Sequence, residues 1–563
     1  MLLTSHQWST AIVGEISKWI DPDAKDASSR QNAEAVLKEE LLWASHLSVG
    51  AIVLPTPKID SYNYANCINS HVVRNSNFWV RIPLWSSNSS EDSEVSSWHV
   101  WNKFRNLCGS SSGLKVLLEL NASLPCAVSI DRWMSEPVRG VLIPTSIFLS
   151  NSKGYPVLSN AHQEVLIKFH KRNIQFIITG PPKHHEGSGV YYLYLNHLIS
   201  RVPSPTEKDE FEAPYYDYLQ TPLQPLGDHL QSQTYETFEK DPVKYAKYEE
   251  AIQSALVDTP VSKVSVIMVV GAGRGPLVRC ALRAAENAKR TIRMFAVEKN
   301  PNAVITLRNM HQMLHWGDTV TIVHTDMRVW EAPELADILV SELLGSWGDN
   351  ELSPECLDGA EKFLNPKGGI SIPYEYTSFL APISSTKLWN DCKALEDTKY
   401  LETMYVVKLH NFFEFSNPKP CFTFVHPSWN KKVNRETGQD EFAAGSKTEN
   451  CKIDNTRIRS LEFEVKETGM FHGFAGYFEA KLYNDVTISI NPSTFSTGMF
   501  SWFPLYIPIH NPFKVQKGEL IRTVFWRHCK STKVWYEWAI DAPSVSQIHN
   551  TNGKSQQINL SLD

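Results

Sequence analysis

The residues whose types and spacing could do chemistry are concentrated between positions 265 and 355. The apolar run SVIMVV at 265–270 reads as a strand and leads directly into Gly271-Ala272-Gly273-Arg274-Gly275-Pro276, after which 277–289 reads as a helix. A strand, a glycine turn and a helix N-terminus let backbone approach a ligand closely. A second strand at 292–297 ends in Glu298, where an acid can accept hydrogen bonds from both ribose hydroxyls. A third at 320–324 leads to Asp326, placed to accept from an adenine amino group, and a fourth at 338–340 leads into Glu342. Strand ends that gather a glycine turn and three acids on one edge define a ligand crevice. NAD or S-adenosylmethionine could each fill it. The glycine spacing is not the dinucleotide Gly-x-Gly-x-x-Gly, and no Lys-Ser/Thr pair offers itself to a triphosphate, so a nucleoside without phosphates is favoured.

Two glutamates, Glu342 and Glu351, flank a Leu-Leu-Gly turn in SELLGSWGDNE at 341–351. Together with GAGRGPL at 271–277, VEKNPNA at 297–303, SELLGSWGDNELSPE at 341–355 and GMFSWFP at 498–504, this loop resembles the protein arginine methyltransferases, and among them the symmetric-dimethylating type II enzymes. The similarity extends over nearly the whole chain, through LIPTSIFL at 142–149 and SQTYETFEKDPVKY at 232–245.

The resemblance implies a chemistry. Arginine is always protonated, with its charge delocalised over three nitrogens, so its lone pairs are poor nucleophiles. Two carboxylates around a guanidinium make charge-assisted hydrogen bonds that hold the charge toward the other nitrogens and aim one lone pair at a sulfonium methyl. By resemblance Glu342 and Glu351 are this catalytic pair. Tyr235, Lys244, Tyr245, Gly271, Gly273, Glu298, Asp326 and Met327 would contact S-adenosylmethionine, with Glu298 on ribose and Asp326 and Met327 framing adenine. Phe238, which by itself reads as a core aromatic on an amphipathic helix, would shape where the first methyl sits. Trp502 would stack on the guanidinium. It lies in Phe-Ser-Trp, where other arginine methyltransferases have Thr-His-Trp. Trp526, Trp535 and Trp538 alternate in strands and read as core.

The elements that must position these residues form three blocks and a linker. In 1–202, short apolar runs at 8–13, 49–55, 78–84, 114–120, 140–144 and 174–179 are separated by gaps long enough for crossover helices. They predict a parallel, TIM-barrel-like domain; since a closed eight-fold barrel usually takes about 250 residues, the first units are expected to be absent. Residues 203–263 are a Pro- and Tyr-rich ordered linker followed by helical pattern at 233–257. Residues 264–373 form a Rossmann-like methyltransferase domain. In 374–563 strands dominate, at 376–382, 405–411, 421–426, 461–465, 474–482, 486–490, 520–527 and 534–540, predicting an antiparallel β-sandwich or barrel with oligomerisation and substrate contacts. The stretch 86–97 reads as a solvated acidic-serine loop, and 428–455 as a mobile polar insertion.

Composition narrows the partners. The formal net charge of −6 argues against nucleic acid and is compatible with a basic substrate. Nine cysteines without a Cys-x-x-Cys pair read as free thiols in a reducing compartment, the cytoplasm, the nucleus or both. No apolar run is long enough for a membrane span, and Met1-Leu2-Leu3 before Thr4-Ser5-His6-Gln7 is too short for a secretory signal. No histidine cluster suggests a metal site. The resemblance implies Arg-Gly-rich substrates (histone tails and spliceosomal proteins), a homo-oligomer, and a WD-repeat adaptor whose binding a shortened barrel would compromise. The rivals are a catalytically impaired scaffold that binds arginine-rich tails, and a small-molecule methyltransferase. A neutral small substrate would give two carboxylates no partner.

Overall fold

The computed structural model describes residues 3–72, 77–85, 96–184, 187–260, 263–428, 431–433, 440–442 and 454–561. It divides into two compact units: Met1–Thr206 with Ser385–Asn390 and Asn411–Phe413, and Glu207–Ser384 with Asp391–His410 and Glu414–Asp563.

The first unit is built on six parallel strands that neighbour one another in chain order: β1 (Val13–Glu15), β2 (Ala51–Leu54), β3 (Phe78–Pro83), β4 (Leu114–Glu119), β5 (Val138–Pro144) and β6 (Gln175–Thr179). Helices such as Ala27–His46, Ser97–Leu107 and Asn160–His170 make the crossovers. This sequential winding is the wall of a TIM-type barrel. Its inner face is filled by Ala51, Val53, Trp79, Leu117 and Leu142, with Ile177 against them.

One expected strand is a helix in its first part. Ser5–Ala11 is α-helical, and the strand begins only at Val13. The cause is a capping box: Gln7 N donates to Thr4 Oγ1 at 3.2 Å and Thr4 N donates to Gln7 Oε1 at 3.0 Å. Trp8 then leaves the barrel wall and donates its indole N–H to Leu47 O at 2.7 Å. The loop expected at 86–97 lies outside the described residues except for its last two; Ser96 caps the following helix by accepting from His99 N at 3.2 Å.

In the second unit, β7 (Ser265–Val270), β8 (Ile292–Glu298), β9 (Val320–His324), β10 (Ile338–Ser341) and β11 (Ile370–Ile372) form a parallel sheet in the order β9-β8-β7-β10-β11. Every residue of β7 is buried, as an unbroken apolar run in a doubly covered sheet requires. The chain leaves β7 toward β8 and later returns to its other side as β10. The carboxyl ends of β7 and β10 therefore flank the topological switch point where such sheets bind ligands.

Two antiparallel sheets complete this unit. One centres on Glu375–Ser384, Gly469–Tyr483 and Leu505–Val515; the other runs Arg457–Glu464, Leu520–Cys529, Lys533–Ala542 and Ile558–Asn559. They pack as a sandwich, with Phe474 edge-on to Phe525 at 5.2 Å between centroids. Leu505–Val515 is a strand outside the expected set; its Pro508 pairs with Gly473 where the ladder shifts register. The strand expected at 405–411 is only Tyr405–Val406, because the following backbone pairs with the linker: Asp217 N donates to Lys408 O at 2.9 Å and His410 N to Asp217 Oδ1 at 2.8 Å. Trp535 and Trp538 are core, whereas Trp526 faces the other side of its strand and is half-buried. Most of the 428–455 insertion lies outside the described residues; within it Lys431–Val433 pairs with Asp440–Phe442.

One histidine does meet two acids. Asp358, Glu361 and His426 approach within 4.8 Å, a grouping hidden by their separation in sequence. His426 Nδ1 lies 2.7 Å from Glu361 Oε1 and its Nε2 3.1 Å from Tyr376 Oη, so both ring nitrogens are engaged in a hydrogen-bond network. Among the described residues, no helix is long and apolar enough to cross a membrane.

Candidate active site

At the end of β7 the backbone turns through Gly271, Gly273 and Gly275, all with positive φ (71°, 54° and 94°). A Cβ on Gly271 would lie 2.8 Å from Leu343 Cδ2, and one on Gly273 3.2 Å from Tyr235 Cε1. The turn is thus shaped for close approach as well as for its dihedrals. Glu298, at the end of β8, is buried; its Oε2 accepts from Gly273 N and its Oε1 from Asn300 N, both at 2.7 Å. Burial raises its carboxyl above the usual range, and those backbone amides oppose the rise without cancelling it. Asn300 donates to Leu230 O at 3.0 Å and to Tyr235 Oη at 3.2 Å, bringing the linker and Tyr235 over the turn. Burial, and then Glu298, push the Tyr235 phenol up to about 12.

Beyond β9, Asp326 and Met327 reach the same cavity. Asp326 is already gripped by Arg328, whose backbone N and Nε reach Oδ1 at 2.8 and 3.1 Å and whose Nη2 reaches Oδ2 at 2.7 Å. Burial works to raise this carboxyl, but the Arg328 bonds hold it below its ordinary range. An adenine amino group would share Asp326 with Arg328.

Past β10 the loop is bent by reciprocal bonds, Gly345 N to Gly348 O at 3.1 Å and Gly348 N to Gly345 O at 2.8 Å. Glu342 Oε2 lies 3.2 Å from Lys244 Nζ, and Oε1 accepts from Leu344 N at 3.3 Å. Glu351 lines the same wall; burial, and then the neighbouring Glu342 carboxylate, push its carboxyl well above the usual range, while Lys244 pulls the other way. The Lys244 ammonium also lies 4.8 Å from the Tyr245 ring centroid, 4.9 Å from that of Trp502 and 5.6 Å from that of Phe238. Trp502 is fixed by donating Nε1–H to Leu344 O at 2.8 Å and by standing edge-on to Phe478.

Sequence reasoning missed the residue that joins these parts. Asp241 is fully buried and caps the helix Pro242–Val257, its Oδ1 accepting from Val243 N at 3.0 Å and Lys244 N at 3.2 Å. Its Oδ2 accepts from Phe500 N, Ser501 N and Ser501 Oγ, each at 2.8 Å. One carboxylate therefore ties the helix carrying Lys244 and Tyr245 to the loop carrying Trp502. The Asp-Pro pair at 241–242 is a helix-start signal that could have found its capping half. Nothing local announces the other half.

All the expected site residues line one cavity of about 640 Å³: Tyr235, Phe238, Lys244, Tyr245, Gly271, Gly273, Glu298, Asp326, Met327, Glu342, Glu351 and Trp502. Its Gly271–Glu298 end can hold a nucleoside. Its Glu342–Glu351 end offers aromatic faces and carboxylates to a cation, as Lys244 already demonstrates.

Comparison with known proteins supplies the family. Residues 1–201 match the model of the PRMT5 TIM barrel domain, 206–372 that of the PRMT5 arginine-N-methyltransferase and 375–558 that of the PRMT5 oligomerisation domain. The chain belongs to the PRMT5 family of arginine N-methyltransferases. It is 47% identical to protein arginine N-methyltransferase 5 of Oryza sativa subsp. japonica and 44% identical to that of Xenopus laevis, in each case over 100% of this chain and 90% of the relative. It is 38% identical to protein arginine N-methyltransferase skb1 of Schizosaccharomyces pombe, over 98% of this chain and 89% of that one. Family membership makes the chain an arginine N-methyltransferase. The loop that carries Trp502 and the strand that carries Arg527 lie within the part matched by the family's oligomerisation domain.

Proposed function

We propose that this arginine methyltransferase uses S-adenosylmethionine and forms monomethyl- and then symmetric dimethylarginine on Arg-Gly-rich protein tails, such as those of histones and spliceosomal proteins. The observation that carries this is the pair Glu342 and Glu351 on one wall of a cavity whose other end is the glycine turn and Glu298.

The residues present fit that cofactor. A side chain at Gly271 or Gly273 would fill the cradle, and Glu298 beside the turn accepts hydrogen bonds and repels phosphate. Gly271, Gly273, Tyr235, Lys244, Tyr245, Glu298, Asp326 and Met327 would hold it. S-adenosylmethionine supplies an electrophilic sulfonium methyl when bound. Glu342 and Glu351 draw the guanidinium charge onto the nitrogens they bind and leave the reacting nitrogen aimed at that methyl. Glu351, whose carboxyl burial and Glu342 push up, is the group suited to take the proton that the methylated nitrogen releases. Trp502 covers the guanidinium face. Phe238 limits where the first methyl sits, which favours the second terminal nitrogen for the next transfer.

The reading extends to a homo-oligomer assembled through 374–563, a WD-repeat adaptor on the barrel-like block 1–202, and cofactor-covering helices in 203–263 above the methyltransferase block 264–373. The free thiols among the described residues support a reducing compartment, the cytoplasm and nucleus. The test is mass spectrometry of an Arg-Gly-rich histone H4 tail peptide incubated with the full chain and S-adenosylmethionine, with Glu342→Gln alongside. Symmetric dimethylarginine that disappears in the variant is expected. Asymmetric product would remove the assignment of Phe238, and no product with or without a WD-repeat adaptor would favour a scaffold.

A further inference from the structure

Glu351 occupies a position its surroundings oppose. Burial and the Glu342 carboxylate both disfavour its charge, and the next residue, Leu352, is a fully buried leucine in left-handed backbone (φ 67°), a conformation that L side chains resist. Something outside the loop must hold it there.

Arg527, on the strand Leu520–Cys529, is completely buried. Its Nε donates to Asp349 Oδ2 at 2.6 Å. Its Nη1 and Nη2 donate to Glu355 Oε1 and Oε2 at 2.8 and 2.9 Å, a bidentate pair, and Nη1 also reaches Asn455 O at 3.0 Å. Asp349 precedes Glu351 by two residues and Glu355 follows it by four. Tyr536 Oη donates to the same Asp349 oxygen at 2.6 Å, and Ser378 Oγ to the other at 2.8 Å. The guanidinium therefore staples the loop on both sides of Glu351 to the sandwich behind it. A buried ion network is seldom needed for stability, since apolar packing often serves as well. A rigid fork of donors, by contrast, is suited to fixing two carboxylates in a set relation.

We propose that Arg527 is a positioning residue for methyl transfer, holding the Glu351 carboxylate at the guanidinium-binding wall against repulsion from Glu342. This rests on the reading of Glu351 as a guanidinium ligand. Lysine cannot replace it, because a single ammonium cannot span Asp349 and Glu355.

The test uses the full chain with an Arg-Gly-rich peptide, counts cofactor-binding sites by calorimetry, and compares Arg527→Lys and Tyr536→Phe with the wild type and Glu351→Gln. Arg527→Lys is expected to keep cofactor Kd within about twofold and peptide KM within about threefold while kcat per cofactor-binding site falls about tenfold or more, the pattern of a misaimed group. Tyr536→Phe should show the same pattern at about threefold, and it decides the matter if Arg527→Lys does not fold. A purely structural role would lower the number of sites and leave kcat per site unchanged; that result in both variants, or a loss that tracks cofactor affinity, overturns the proposal. A Glu351→Gln enzyme with wild-type rate would instead overturn the underlying reading of Glu351, and the two failures are thereby separated.

Discussion

Lys244 Nζ and Glu342 Oε2 lie 3.2 Å apart, with the lysine buried and three aromatic rings around its ammonium. Glu342 thus has a direct cationic partner, whereas at Glu351 burial and Glu342's repulsion outweigh the pull of the same lysine. On the proposed reading this asymmetry divides the labour of the pair, with Glu342 anchored by Lys244 and Glu351 open to an incoming guanidinium.

Glu351→Gln is expected to lower kcat by about 100-fold or more, as loss of preorganised electrostatics does. It should also stabilise the protein at neutral pH. A carboxyl whose folded pKa is raised contributes stability below the ordinary carboxylate range and loses it as pH rises toward and through the folded value, so at pH 8 the Glu351 carboxyl is a cost. Thermal denaturation at pH 8 should show Tm raised by roughly 1–3 °C in the variant, and the gain should vanish near pH 4. An unchanged or lowered Tm at pH 8 would mean that Glu351 is neutralised by a partner.

Trp502 makes a separable contribution. Trp502→Ala removes the aromatic face, and a cation–π contact of about 0.5–2 kcal/mol corresponds to a rise of about 2- to 30-fold in peptide KM. Trp502→Phe keeps a face but loses the bond to Leu344 O, so it should fall between Ala and wild type. Steady-state kinetics at saturating cofactor makes the comparison. A Phe variant as impaired as Ala would show that the indole N–H matters more than the ring.

Much of this was legible in the sequence, for physical reasons that also mark where reading stops. The strands β7 and β10 stand out because a parallel sheet covered on both faces needs unbroken apolar runs, as in 265–270 and 338–340. The glycine turn and the acids at strand ends follow from local backbone demands. The helix Ser5–Ala11 was hidden because Trp8-Ser9-Thr10-Ala11-Ile12-Val13 has β-like composition, and only the side-chain bonds of Thr4 and Gln7 overrule it. Leu505–Val515 was hidden by its prolines. In the site, the loop-holding half of Asp241 and the carboxylate partners of Arg527 escaped notice because they lie 259–260 and 172–178 positions away in sequence. A residue that acts by holding others is visible only once the chain has folded.

Asp241→Asn tests the junction between the helix Pro242–Val257 and the loop that carries Trp502. The amide keeps the shape but can accept at only one of the two positions that now receive two and three donors. Leaving buried donors unpaired costs about 1–3 kcal/mol in stability. Because the capped helix carries Lys244 and Tyr245 and the loop carries Trp502, cofactor Kd and peptide KM should rise together, each by several-fold. Calorimetry for the cofactor and kinetics for the peptide would measure both. A change in one alone would show that the two elements are held independently.

The last prediction concerns acid sensitivity away from the site. His549 is buried in the sandwich; its Nε2 accepts from His510 N at 3.0 Å, and its Nδ1 lies 3.0 Å from Trp538 O, so the neutral ring satisfies both contacts. Burial, and then the nearby His510, hold its pKa down to about 4. A folded-state pKa below the unfolded value means that the stability it contributes is present above the unfolded histidine value near 6.5 and is lost as pH falls toward 4. The span of roughly 2.5 units sets an upper bound of about 3.4 kcal/mol for that loss. Urea denaturation between pH 7 and pH 4.5 should therefore show the wild type losing stability steadily through this window, with a flatter profile in His549→Gln, which cannot take up a proton. Parallel profiles in the two proteins would assign the acid sensitivity to other groups.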